Sequence, residues 1–98
     1  MDKDAKESKA AEAEVRNAIV AFEQILEAIP TDRFALETLC DAYDQIGDSA
    51  KSLEYLVRLG TAIAEEGDKK AAPAVIEKLT ARGAGNAEAK KVLASLEH

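Results

Sequence analysis

The sequence predicts an all-α fold of stacked antiparallel helical hairpins, about five helices in a single domain. Three observations carry this expectation. Alanine is abundant along the whole chain while runs of β-branched residues are missing, so helix propensity outweighs strand propensity throughout. Apolar residues recur at spacings of three and four, the period of one helix face. Glycine and proline are scarce, five and two residues, and most of them fall between the periodic stretches, where they divide the chain into segments. A chain of 98 residues closes one hydrophobic core and has no material for a second. Aromatic residues are only 4%, with no Trp, so Ala, Leu, Ile and Val must build that core through close helix packing.

Residues 1–14 form a charged lead-in, frayed or a helical extension, because Lys, Asp, Glu and Ala alternate there with little to bury. The helical domain is expected over residues 15–95. Val15, Ala18, Ile19, Phe22, Ile25, Leu26 and Ile29 mark the core face of a first helix, which Pro30 stops. Thr31 and Asp32 offer capping oxygens to a second, whose buried stripe is Leu36, Leu39, Cys40, Tyr43 and Ile46. Gly47 ends it, and Asp48 or Ser49 caps a third helix over about 50–66. Ala50, Leu53, Leu56, Val57, Leu59, Gly60, Ile63 and Ala64 give that helix a wide apolar arc, which makes it the expected centre of the core. Gly67 and Asp68 restart the chain into a fourth helix carrying Val75, Ile76 and Leu79, with Pro73 in its first turns and an end near Gly83. Asn86 caps a last helix with Ala89, Val92 and Leu93. Connections of a few residues leave consecutive helices antiparallel and in contact. Leu96, Glu97 and His98 match the start of a vector-derived histidine tag, so residues 96–98 are expected to be a remnant of one.

Charge and composition exclude several functions. A net charge of −6 repels phosphate backbones and anionic lipid, which argues against nucleic acid and membrane surfaces as partners. No stretch approaches the roughly 18 apolar residues of a membrane span. Cys40 is the lone cysteine, which precludes an internal disulfide and suits a reducing cytoplasm. It lies on a buried stripe with no native His to activate it, so its expected role is a small core residue. Neither zinc-type Cys/His pairs nor a calcium loop nor a phosphate-binding loop is present. The expectation is a non-enzymatic chain with no cofactor and no metal.

The segment from Ala35 to Tyr43, followed by Gly47 and Asp48, resembles the first helix of a tetratricopeptide repeat: a large residue, Leu, a small residue, Tyr, then a Gly-Asp turn. Leu53, Leu56 and Leu59 continue it as the second helix, and Ala18, Phe22 and Pro30 resemble the end of a preceding repeat. The second and fourth helices start near residues 33 and 69, close to the family's period of about 34. One good repeat covers about 33–66, with partial repeats on either side. Ser52 stands where the family has Ala, and Ala64 where it has the closing proline. Leu56, Leu59, Gly60, Ile63, Gly67 and Asp68 repeat the first-helix signature inside the second helix, which leaves the register of the last two helices open.

The resemblance implies a superhelical scaffold that holds a partner polypeptide. Phe34, Glu37, Asp41 and Asp44 form one stripe opposite the core of the second helix, with Thr38 and Gln45 beside it. In the resembling family this face lines the concave groove, so these six residues are the candidate partner-binding set. Three carboxylates within two turns repel one another unless a cation arrives, which favours a partner segment with Lys or Arg and one apolar side chain. It disfavours the family's carboxylate-clamping mode, which needs basic residues there. The alternatives are an ordinary solvated acidic face, and a self-associating helical module forming a homo-oligomer. Tyr55 and Arg58 are expected on the outer side of the third helix as surface decoration.

Overall fold

Capping chemistry sets the helix starts where the sequence places them. Asp32 accepts the Ala35 amide at 2.9 Å, Asp48 the Lys51 amide at 3.1 Å and Asn86 the Ala89 amide at 2.9 Å. The computed structural model describes residues 2–97, with side chains from Ala11 onward; His98, the end of the expected tag remnant, lies outside them. Among the described residues are five α-helices and no strand: α1 (Asp2–Ala28), α2 (Arg33–Gln45), α3 (Ser49–Glu66), α4 (Ala72–Arg82) and α5 (Ala87–Glu97). The backbone of the charged lead-in belongs to α1 from Asp2 on. None of these helices is long and apolar enough to cross a membrane.

Two glycines terminate α2 and α3 in the same way. Gly47 and Gly67 take left-handed φ values of 80° and 67°. The Gly47 amide reaches Asp44 O (3.1 Å) and the Asp48 amide Tyr43 O (2.9 Å), while Gly67 and Asp68 bond Ala64 O and Ile63 O, each at 3.2 Å. This double closure satisfies carbonyls left open at a helix end and needs a residue without Cβ. Asp68 then accepts the Lys70 and Ala71 amides ahead of α4, which carries Pro73 in its first turn.

Pairings between distant residues define the packing. Arg33 at the start of α2 bonds Glu66 at the end of α3 and Asp68 just beyond it, both at 2.8 Å, while Cys40 further along α2 meets Ser52 near the start of α3, so the two helices run antiparallel. The core gathers around α3, which packs against α2, α4 and α5 and buries Ser52, Tyr55, Leu56, Leu59, Gly60, Ala62 and Ile63. Small residues permit both approaches. On the α2 side Cys40 Sγ lies 3.4 Å from Ser52 Oγ, and the Ser52 hydroxyl donates to the Cys40 carbonyl at 3.0 Å. On the other side a Cβ on Gly60 would fall 2.6 Å from Val92 and 3.2 Å from Leu79, so α4 and α5 sit directly on the α3 backbone. α3 thus packs on α2 and is at the same time the platform for α4 and α5.

Tyr55 corrects the expectation of an outer position. It is 5% exposed, its ring stacks on Tyr43 at 5.7 Å and 9°, and its hydroxyl donates to Glu23 of α1 at 2.8 Å. The Tyr43 hydroxyl points to the same carboxylate oxygen from 3.4 Å. Burial and the adjoining Glu23 carboxylate push the Tyr55 phenol well above its ordinary pKa, so it stays a donor. Arg58 does lie over the Tyr55 ring, 5.4 Å from its centre, and also donates to the Pro30 carbonyl. A second difference is on the expected core face of the first helix: Ile19 and Leu26 are buried, but Ile25 is 39% exposed and Ile29, just past the end of α1, is 53% exposed. The reason is that, among the described residues, only the backbone of α2 comes close to that of α1, α3 reaching it through the Tyr55 side chain, so a narrow arc is covered.

Candidate interaction surface

The outward residues of α2 divide into two flanks. Towards α4, Arg82 donates to Asp44 at 2.6 Å and to Ser52 Oγ at 3.3 Å. Burial alone would raise the Asp44 carboxyl, but Arg82 and the neighbouring Ser52 outweigh it and hold the group below the usual carboxylate range. The cation expected from a partner is therefore supplied, at Asp44, by the chain itself. Glu37 and Asp41, also exposed, make no ion pair with the described residues.

Towards α1, half-buried Thr38 and exposed Asp41 and Gln45 face Glu14, Val15 and Ala18 across a groove floored by Ala42. Phe34 stands at the opposite end of the same α2 face. It is 71% exposed and touches the protein through a tilted contact with Phe22, ring centres 5.7 Å apart. Because successive positions 34, 38, 41 and 45 are three or four apart, these side chains form a continuous row. All six candidate residues reach the surface, but only Phe34, Thr38, Asp41 and Gln45 share this row; Glu37 stands beside it, and Asp44 is turned to Arg82.

The cluster of Cys40, Asp41 and Asp44, with ligand atoms within 4.8 Å of one another, has the donor types of a metal site. Its chemistry points elsewhere. Burial pushes the Cys40 thiol up, away from the thiolate that binds metals or attacks substrates, and Arg82 already places a positive charge against Asp44. Arg82 is the residue that sequence reasoning missed, for its partner lies 38 positions earlier and no local pattern links them. Comparisons with protein-family models, with curated proteins and with solved structures find no match for this chain.

Proposed function

We propose that the chain is a non-catalytic protein–protein interaction module, a tetratricopeptide-like scaffold of a reducing cytoplasm that binds a peptide or helix of a partner, a basic one, on the outward face of α2. The observation that carries this reading is Phe34. A phenylalanine 71% exposed, in a row with Asp41 and beside Glu37, gains on binding through apolar burial while the two carboxylates attract a cation. The Gly47-Asp48 turn and the close Cys40–Ser52 approach support the repeat-type scaffold. The test is a pull-down with the wild-type chain and with Phe34→Ala combined with Glu37→Lys and Asp41→Lys. Loss of the captured chains in the variant is expected; identical capture would remove the reading. Self-association through α1 is the competing reading, favoured by Val20, which is 55% exposed on that helix. Light scattering separates them, because a mass independent of concentration counts against self-association.

A further inference from the structure

Two kinds of contact hold α1. Ile19 and Leu26 are the side chains it buries among the described residues, and seven positions apart they project within about 20° of one another, as one line along the helix. A single apolar line fixes where a helix lies but not its roll, because apolar burial is non-directional. Phe22 and Glu23 stand on either side of that line, each about 50° away. The Phe22 ring meets Phe34 of α2, centres 5.7 Å apart and planes 56° from parallel. Glu23 Oε2 accepts the Tyr55 hydroxyl of α3 at 2.8 Å, with the Tyr43 hydroxyl of α2 at 3.4 Å. Phe34 and Tyr43 are nine residues apart, about two and a half turns, and so lie on opposite flanks of α2. Thus α1 straddles α2, with an aromatic contact on one flank and a hydrogen bond on the other.

Of these two contacts only the hydrogen bond is strongly directional. Its donor is itself held in place. The Tyr55 ring stacks on Tyr43, and the Arg58 guanidinium lies 5.4 Å from its centre while donating to the Pro30 carbonyl, in the connection between α1 and α2, at 3.2 Å. Tyr55 belongs to α3, so it gives α1 a reference point outside the α1–α2 pair. Phe34 has no such frame: it is exposed, and its ring rests against Phe22.

On the reading of the chain as an interaction module anchored by Phe34, we infer that Glu23 and Tyr55 are positioning residues for the binding surface: their hydrogen bond sets the roll of α1 and so seats Phe22 against Phe34. Loss of the bond lets α1 roll about the Ile19–Leu26 line, and Phe22 moves off the Phe34 ring. A seated ring has fewer rotamers to lose on binding, and pre-ordering an interface side chain in this way raises affinity. Tyr55 is buried and acts through Glu23 and Phe22 alone. Removing its hydroxyl therefore weakens binding although no residue of the outward face has changed.

Nuclear magnetic resonance of the whole chain with isotope-labelled phenylalanine tests this without a partner, since Phe22 and Phe34 are its two phenylalanines. Each ring shifts the proton signals of the other, so the Phe34 signals report where Phe22 sits. Phe22→Leu supplies the limit of a Phe34 with no ring beside it. Tyr55→Phe and Glu23→Ala are expected to move the Phe34 signals towards that limit. Glu23→Gln keeps an acceptor oxygen for Tyr55 and should leave them near those of the parent. Ile19→Val loosens the apolar line without touching the bond, and should also leave them in place. Circular dichroism checks that every variant is folded at the temperature used. Phe34 signals unmoved by Tyr55→Phe and Glu23→Ala, or moved as far by Ile19→Val, would overturn the inference. In the pull-down, Tyr55→Phe is expected to capture about two- to tenfold less than the parent and Glu23→Gln about as much; full capture by Tyr55→Phe would also overturn it. The two readings fail separately. If the Phe34 signals stay put while the Phe34, Glu37 and Asp41 triple variant loses its captured chains, the positioning role is wrong and the module stands. If the signals move as expected but the triple variant captures like the parent, Glu23 and Tyr55 still seat Phe22 and the module reading falls.

Discussion

A Cβ built on Gly60 meets Val92 Cγ1 at 2.6 Å, and Val92 is stiff at χ1, so relief requires a shift of α5 rather than a rotation. Ala in mid-helix is intrinsically better than Gly by about 1 kcal/mol, whereas overpacking costs about 1–3 kcal/mol. The steric cost wins. Gly60→Ala is expected to lower stability by about 1 kcal/mol, read as a fall in the urea midpoint at unchanged slope. Gly85 is the control, since a Cβ there meets nothing within 4 Å and its backbone is not left-handed. Gly85→Ala should be neutral or stabilising by up to about 1 kcal/mol. A Gly60→Ala chain as stable as its parent would mean that α4 and α5 are not seated on α3. Side chains of this kind were only half legible in the sequence. Cys40 stood out as a small residue in an apolar stripe and Gly60 as a member of the apolar arc of α3, but Tyr55 was misread as an outer residue because its hydroxyl partner, Glu23, lies 32 positions upstream. A tyrosine next to a charged surface residue looks the same locally whether its ring is outside or stacked on a second tyrosine.

Elements were more legible than side chains, because their signals act over three or four residues. Asp32, Asp48 and Asn86 cap the helices that the sequence assigned to them, and Gly47 and Gly67 end theirs. The order of packing was not, since α3 carries the apolar signature of two successive layers and only contact with α4 and α5 tells which face goes where. What joins elements here includes charge. Arg33 ties α2 to both Glu66 and Asp68, and its hydrogen bond, together with the Ala71 and Lys70 amides, holds the Asp68 carboxyl below its ordinary value. Asp44 is likewise lowered, against its own burial, by Arg82 and Ser52. An unfolded chain protonates these carboxyls at a higher pH than the folded one does. Their contribution is thus fully present above the unfolded value of about 4 and is lost as pH falls through the lower folded values. Thermal melts between about pH 6 and pH 2 should show stability dropping below about pH 4. Arg33→Gln combined with Arg82→Gln should flatten that drop, and an acid limb as steep as the parent's would assign the loss to other carboxylates.

The whole molecule is elongated. Its radius of gyration is 14.9 Å, against about 13 Å for a compact chain of this size, and it measures 51 × 30 × 22 Å. The 27-residue α1, about 40 Å long by helix rise, accounts for the long axis. In such an array each helix is supported by its neighbours, so stability is graded along the chain rather than uniform. The backbone of α1 lies close to that of α2 alone and is tied to α3 through the Tyr55 side chain, whereas α3 packs closely on three helices. Native-state hydrogen exchange should therefore find the amides of Val15–Ala28 opening at lower free energy than those of Leu56–Ile63, which should exchange only with global unfolding. The Tyr55–Glu23 bond ties α1 directly to α3, and Tyr55→Phe should speed exchange in α1 while leaving α3 almost unchanged. Uniform protection across α1 and α3 would show instead that the chain opens as one unit.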